Sequence, residues 1–152
     1  SGTMQFLIFL EDVSSEQGPL EIYENSQRGP IFEHYDNEGK WTGAIRDNDL
    51  QNASLAPPVK ITGSAGTVSV HHSRTIHGSR RNHSSLGRPV LVITYGAADA
   101  VPYTAPAYPS SRYGRIVRGV EPGYAHHEEM NVPMPPDWSG GYTSIFDHQD
   151  EV

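Results

Sequence analysis

The sequence contains no cysteine, only two lysines and no long apolar run. The absence of cysteine excludes a disulfide scaffold and thiolate metal sites. A formal net charge of −7 argues against binding to nucleic acid or to an anionic membrane surface. The longest apolar run, Phe6 to Leu10, is too short to cross a bilayer, and no signal peptide is visible. We therefore expect a cytoplasmic protein with no nucleic-acid and no membrane partner.

Glycine and proline are abundant instead, with 15 and 12 residues out of 152. Both residue types favour turns. The apolar fraction is 36%, below the roughly 45–50% of typical globular chains. The sequence therefore predicts one domain in which loops take up much of the chain.

Short apolar segments with the composition of β-strands recur along the chain, and no segment has the spacing of an amphipathic helix. The polar region 26–58 predicts a long loop with one short helical turn near 47–52. This pattern favours an all-β sandwich or barrel. A jelly roll has about eight strands, so the smaller count here predicts a reduced variant or further strands before Ser1. The predicted strands are 4–13, 19–25, 59–63, 67–72 and 88–97, with one more at 114–120.

The segment TIHGSRRNHSSLGR places a histidine and an arginine at the two ends of a polar connection. If 67–77 and 88–96 are neighbouring antiparallel strands, His77 and Arg88 can point into one cavity. A neutral imidazole binds a divalent first-row metal, and a guanidinium can hold the far carboxylate of a small diacid that chelates that metal. The alternative for His77 is a hydrogen-bonded histidine of the core.

Several segments resemble the phytanoyl-CoA dioxygenase family of Fe(II)- and 2-oxoglutarate-dependent oxygenases. They are FLIFLEDVSSEQGPLEIYENSQRGP, GSAGTVSVHHSRTIHGS, and VLVITYGAADAVPY, together with Arg88, which follows His77 by eleven residues. These elements together cover residues 4 to 103. The resemblance implies a double-stranded β-helix, an all-β jelly-roll barrel with the metal inside. It also implies that His77 binds Fe(II), that Arg88 binds 2-oxoglutarate, and that Ser79 assists at the same carboxylate.

One part of the family pattern is missing from the sequence. The facial triad of two histidines and one carboxylate needs a His-x-Asp before the first strand, and no such triplet stands there. We therefore interpret the chain as the C-terminal portion of a longer oxygenase with an incomplete barrel. In this interpretation residues 1–103 form the main part of the jelly-roll domain, and the Pro-rich residues 104–152 wrap the same domain.

Two other His-x-Asp triplets, at 34–36 and 148–150, are weaker candidates for metal ligands. The first lies in a loop where the family has no ligands, and the second lies near the C-terminus, where fraying is common. His71 and His72 are adjacent on a strand and point to opposite faces. We expect one of them to be buried and hydrogen-bonded and the other to face solvent.

The polar loop after His77 has two interpretations. Arg80, Arg81 and His83 can hold the phosphate of a CoA-like or nucleotide substrate, but a solvated surface loop is the simpler interpretation. Inside the expected barrel, the apolar residues Phe6, Ile8, Val90, Val92 and Tyr95 are candidates for the lining.

The favoured hypothesis is a dioxygenase that uses Fe(II) and 2-oxoglutarate to hydroxylate a small molecule or an acyl chain. The alternative is a non-catalytic jelly-roll module, with a binding or structural role, that has lost its metal site. An incomplete barrel exposes unpaired strand edges, which tend to pair with another copy, so we also expect a homo-oligomer.

Overall fold

The computed structural model describes residues 2–106 and 109–136. The regular structure of this part of the chain consists of six β-strands, one short α-helix and one 3-10 turn, joined by loops. The strand predicted at 114–120 is wrong, because Gly114 and Gly119 take φ angles of 70° and 91°, which interrupt an extended backbone. The elements are β1 Thr3–Phe9, β2 Leu20–Ile22, the 3-10 turn Ser26–Arg28, α1 Asp47–Asn52, β3 Val59–Ile61, β4 Val68–His72, β5 His77–Ser79 and β6 Val90–Gly96.

The short helix α1 confirms the helical turn predicted near 47–52. Asp47 and Asp49 lie in its first turn, where negative charge is favourable beside the unpaired amides of a helix start. The Arg46 guanidinium donates to the Asp49 carboxylate at 2.7 Å. This contact holds the residue before the helix against its first turn.

Strand β1 is the centre of the first sheet, whose strand order is β4-β1-β6. It pairs antiparallel with both neighbours, so Phe6 lies opposite Val70 on β4 and Ile93 on β6. A central strand has strands along both edges, and the apolar run 6–9 of β1 suits that position. The prediction that 67–77 and 88–96 are neighbouring strands is therefore wrong, because β1 lies between them.

The two faces of this sheet are both apolar but differ in burial. Side chains alternate along β1, so Leu7 and Phe9 share one face while Phe6 and Ile8 share the other. Leu7 and Phe9 are buried, whereas Phe6 packs edge-on against the half-exposed Tyr95, with 5.5 Å between ring centroids. The inner face is thus the one with Leu7 and Phe9. Of the five residues expected to line the barrel, only the two valines of β6 share that face.

The second sheet has the order β3-β2-β5, again antiparallel throughout. Ile22 on β2 lies opposite His77, and Leu20 lies opposite Ser79. The chain thus leaves the first sheet at His72 and enters the second at His77, with residues 73–76 as the crossing segment. Connections that cross from one sheet to the other are typical of jelly rolls.

Two compact units divide the chain. The first comprises residues 1–30 and 55–96 and contains both sheets; the second comprises 31–54 and 97–152 and, where described, holds α1 and irregular chain. The assignment of 1–103 and 104–152 to one jelly-roll domain stays a prediction.

The outer strands of the first sheet are β4 and β6 in the described residues. Their free edges are where a second copy would pair, and the expected homo-oligomer stays a prediction. No helix within 2–106 and 109–136 has both the length and the apolar character needed to cross a membrane.

Replacing Phe9 tests whether the inner face of the first sheet is the core. Phe9 is 1% exposed, while its neighbour Leu10 is 56% exposed. Phe9→Ala removes a packed ring and leaves a cavity, so the free energy of unfolding should fall by about 3 kcal/mol or more. Leu10→Ala should change it by less than about 0.5 kcal/mol. Urea denaturation of both variants measures the difference, and equal losses would contradict the assignment of the inner face.

Candidate functional site

The crossing segment 73–76 is held in place by buried hydrogen bonds. The Ser26 hydroxyl accepts a bond from the Ile76 amide at 2.8 Å and donates one to the Tyr23 carbonyl at 2.6 Å. The Tyr23 amide in turn donates to the Ile76 carbonyl at 2.9 Å. Ser26 and Ile76 are both buried, so water does not compete for these bonds. The backbone that leads into His77 is therefore fixed.

His77 presents one ring nitrogen with a free lone pair. Its Nδ1 lies 2.7 Å from the Thr75 carbonyl oxygen. A carbonyl only accepts hydrogen bonds, so this contact places the proton on Nδ1 and leaves Nε2 as the basic atom. Metal-binding histidines are commonly oriented by such a bond from the second ring nitrogen. His77 is exposed rather than enclosed in the core, so its donor atom and setting fit a metal ligand.

Arg88 lies beside a hydroxyl on the strand that carries His77. Residues two apart on a strand share a face, so Ser79 and His77 project to the same side of β5. The Arg88 guanidinium donates to the Ser79 hydroxyl at 3.1 Å. Partial burial lowers the pKa of Arg88, although a guanidinium stays charged at any physiological pH. The structure thus brings the three predicted site residues to one region, while their roles stay predictions.

His71 is a buried histidine next to this region. It is 5% exposed, and its ring centroid lies 5.0 Å from that of His77, with 54° between the ring planes. The expectation that one of the two adjacent histidines is buried is confirmed, but its expected hydrogen bond is wrong, because neither ring nitrogen of His71 has a partner among the described residues. Burial, and then the charge of His77, lower the pKa of His71. The contact links β4 of the first sheet to β5 of the second.

The loop after Ser79 is an exposed connection held by a few polar contacts. The Arg80 guanidinium lies 3.2 Å from the buried carboxylate of Glu21. The His83 amide donates to the Glu16 carbonyl at 2.9 Å. Arg80 thus serves a structural ion pair, which supports the interpretation of this segment as a surface loop over that of a phosphate site.

The weaker His-x-Asp candidates gain no support. One carboxylate oxygen of Asp36 accepts bonds from the Glu38 and Lys40 amides at 2.9 and 2.8 Å, which is the arrangement of a polar turn. His34 and Asp36 belong to the second unit, and His77 belongs to the first. The triplet at 148–150 lies outside the described residues. Within 2–106 and 109–136, no three His, Cys, Asp or Glu residues are grouped to hold a metal ion.

Sequence reasoning missed one residue that reaches this region. The Gln17 amide nitrogen donates to the carbonyl of Gly87, the residue before Arg88, at 2.8 Å. Seventy positions separate the two residues. A glutamine in a polar turn carries no local pattern that would reveal such a contact.

Comparison with known proteins identifies the family. A family model described as phytanoyl-CoA dioxygenase (PhyH) matches residues 1–90, a range that includes His77, Ser79 and Arg88. The chain belongs to this family. The resemblance seen in the sequence is thereby confirmed. The expected fold class is confirmed as well, since two antiparallel sheets without a closed barrel in the described residues are those of an incomplete jelly roll.

Two curated relatives and one solved structure illustrate the similarity. "Probable alpha-ketoglutarate-dependent hypophosphite dioxygenase" from Stutzerimonas stutzeri is 32% identical over 145 residues, covering 93% of this chain and 50% of that protein. "L-proline trans-4-hydroxylase" from Streptomyces griseoviridis is 34% identical over 109 residues, covering 62% of this chain and 41% of that protein. The crystal structure of the non-heme alpha ketoglutarate dependent carbocyclase SnoK from nogalamycin biosynthesis aligns at a TM-score of 0.48 and 26% identity, over 65% of this chain and 38% of that chain.

This chain therefore spans half or less of the length of the curated relatives it matches. Their names and the family description identify a family of 2-oxoglutarate-dependent dioxygenases and hydroxylases. The expected oxidoreductase class and 2-oxoglutarate dependence agree with that family. Fe(II) is the metal that the family implies.

The lowered pKa of His71 predicts a loss of stability in acid. Because the folded pKa lies below the unfolded value of about 6.5, the unfolded chain binds a proton first as the pH falls. Stability should be full above about pH 6.5 and should decline below it, by up to about 1.4 kcal/mol per pH unit. His71→Phe should remove this part of the decline, and urea denaturation at several pH values measures it.

The exposed His83 supplies the control for that experiment. His83→Phe removes an imidazole from the surface loop, so the acid decline should remain as in the unchanged protein. If His71→Phe and His83→Phe gave the same pH profile, buried His71 would not be the group responsible.

Proposed function

We propose that this chain is the 2-oxoglutarate-binding portion of an Fe(II)-dependent dioxygenase that hydroxylates a small polar molecule. The observation that carries the proposal is the contact between Arg88 and Ser79, on the strand face that also carries His77. This chain supplies one metal ligand and the carboxylate clamp. The bound iron and 2-oxoglutarate supply the oxidative chemistry itself.

The clamp is formed by one charged and one neutral donor. A guanidinium matches a carboxylate in shape and can donate two parallel hydrogen bonds to it. Arg88 is partly buried, and electrostatic attraction is stronger where water is partly excluded. The Ser79 hydroxyl lies 3.1 Å from Arg88 and can turn its proton toward the same carboxylate. Together they suit the distal carboxylate of 2-oxoglutarate.

His77 is the residue that would hold the iron. Its Nδ1 is committed to the Thr75 carbonyl, so Nε2 is the donor atom toward a metal. The family's facial triad requires a second histidine and a carboxylate. The described residues group no such set around one point. We propose that the two remaining ligands come from a His-x-Asp that is not part of this chain's described structure.

The relatives' names suggest the substrate class. One is named for hypophosphite and the other for L-proline, and both of these are small polar molecules. We therefore favour a small polar substrate over the acyl chain that the sequence also allowed.

A non-catalytic module that binds a carboxylate remains the second candidate. It is favoured by one observation, the lack of a three-ligand metal cluster within 2–106 and 109–136. The two candidates differ in metal dependence. In the dioxygenase, 2-oxoglutarate binding should strengthen when a divalent metal is present, because the ligand chelates the metal; in the module it should not change.

Replacing Arg88 and His77 separately tests the proposed roles. The experiment uses the intact protein, that is, this chain together with the proposed His-x-Asp. Calorimetric titration with Mn(II) and then 2-oxoglutarate, without oxygen, measures both affinities. Arg88→Met should weaken 2-oxoglutarate binding by about 2 kcal/mol, or roughly 30-fold, because a charged hydrogen-bond donor is lost. It should leave the Mn(II) affinity unchanged. His77→Ala should weaken Mn(II) binding and, through it, 2-oxoglutarate binding.

The matched control for the first variant is Arg81→Met, which removes an exposed guanidinium from the neighbouring loop. It should leave both affinities unchanged. If Arg81→Met and Arg88→Met weakened 2-oxoglutarate binding equally, the effect would come from general positive charge and the clamp would be rejected.

A further inference from the structure

Gln17 is a buried polar residue that is fully engaged with the backbone. It is 3% exposed. Its side-chain oxygen accepts from the Ser14 amide at 2.7 Å, and its nitrogen donates to the carbonyls of Asp12 and Gly87 at 3.3 and 2.8 Å. The first two contacts are local to the turn after β1. The third crosses to the residue that precedes Arg88.

The contact with Gly87 restricts the backbone of Arg88 from one side. A residue has two soft backbone angles, and the peptide that links Gly87 to Arg88 is planar. Holding the Gly87 carbonyl therefore holds the plane from which Arg88 begins. Glycine is the residue with the widest backbone freedom, so this hydrogen bond acts where the chain would otherwise be loosest.

Pro89 restricts Arg88 from the other side. A residue before proline is confined to extended backbone by contact with the proline ring. The Pro89 carbonyl also accepts a bond from the Leu10 amide at 3.2 Å, which ties it to the end of β1. The backbone of Arg88 is thus restricted on one side by the hydrogen-bonded Gly87 carbonyl and on the other by the Pro89 ring. From this backbone the guanidinium reaches the Ser79 hydroxyl.

The turn after β1, residues 12–18, also contacts the middle of the connection between His77 and Arg88. Gly18 has φ of 59°. A side chain there would contact the Arg80 carbonyl and come within 3.1 Å of the Asn82 amide. The Glu16 carbonyl accepts the His83 amide at 2.9 Å. Gln17 adds the contact at the Arg88 end of the connection, through the Gly87 carbonyl.

We propose that Gln17 is a positioning residue for the 2-oxoglutarate clamp, acting through the Gly87 carbonyl on Arg88. The proposal rests on the assignment of Arg88 to 2-oxoglutarate made above. Gln17 has no contact with the ligand in this role. Its removal leaves Arg88 in place but lets it move, so affinity for the distal carboxylate falls while metal binding is untouched.

The test is a double-mutant cycle in the intact protein with Mn(II) bound. Gln17→Met keeps the length of the side chain and removes its hydrogen bonds, so the dissociation constant for 2-oxoglutarate should rise about tenfold. The Mn(II) dissociation constant should change less than about twofold. In the Arg88→Met background, Gln17→Met should add less than about twofold, because the residue through which it acts is gone.

A matched control and a second variant keep the result interpretable. Gln51→Met makes the same change at an exposed position of α1 and should leave both affinities unchanged. If Gln17→Met does not fold, Gln17→Ala replaces it, since alanine also lacks a donor to the Gly87 carbonyl and leaves space for a water to accept from the Ser14 amide. A tenfold loss that persists in the Arg88→Met background, or no loss at all, would overturn the proposal.

A readout without ligand separates this proposal from the proposed function. The backbone amide order parameter of Arg88, measured by NMR relaxation, should be near the rigid value of about 0.85 in the unchanged protein and clearly lower in Gln17→Met. An unchanged order parameter would reject the positioning role. If the order parameter falls but Arg88→Met leaves 2-oxoglutarate binding intact, the proposed function fails while the mechanical link between the two residues stands.

Discussion

The crossing between the two sheets is the constraint on which the candidate site depends. Buried hydrogen bonds between Ser26 and the Ile76 amide, and between Tyr23 and the Ile76 carbonyl, fix the chain where it passes from β4 to β5. Because of that crossing, His71 on β4 of the first sheet and His77 on β5 of the second lie in ring contact. The same crossing puts Ser79 on the face of His77, within reach of Arg88. A strand that continued straight past His72 would stay in the first sheet.

Much of the fold was predictable because its signals are local, and apart from the wrong strand at 114–120 the errors concern long-range pairing. Composition alone located five of the six strands and α1. It did not reveal that β1 separates β4 from β6, since any two apolar strands can pair and only the tertiary fold selects the partners. Nor did it distinguish the two faces of β1. Phe6, Leu7, Ile8 and Phe9 are all apolar, so alternation gave no sign of which face is buried.

The candidate site shows the same division. His77 and Ser79 are two positions apart on one strand, so their shared face follows from the sequence once the strand is known. The resemblance to the family implied that Ser79 and Arg88 act on one carboxylate, and their 3.1 Å hydrogen bond agrees with that expectation. The sequence predicted that one of His71 and His72 is buried and hydrogen-bonded, but not which one. His71 is the buried residue, and its ring has no hydrogen-bond partner among the described residues. Neither fact was predictable, because no local pattern shows which atoms surround a side chain. Gln17 was invisible for a related reason, since its effect depends on a carbonyl seventy residues away.

The loop between Ser79 and Arg88 is held at its two ends, and the residues in its middle do not position Arg88. Its two ends are fixed, at β5 by strand pairing and at Gly87 by Gln17. Its middle is exposed and bonded mainly to itself, as where the Asn82 side chain donates to the Leu86 carbonyl at 2.7 Å. Because the backbone of Arg88 is restricted by Gly87 and Pro89, its position does not depend on the side chains in the middle of the loop. Substitutions in the middle of the loop can therefore alter what approaches the site without moving the clamp, whereas a change at Gln17, outside the loop, reaches Arg88 directly.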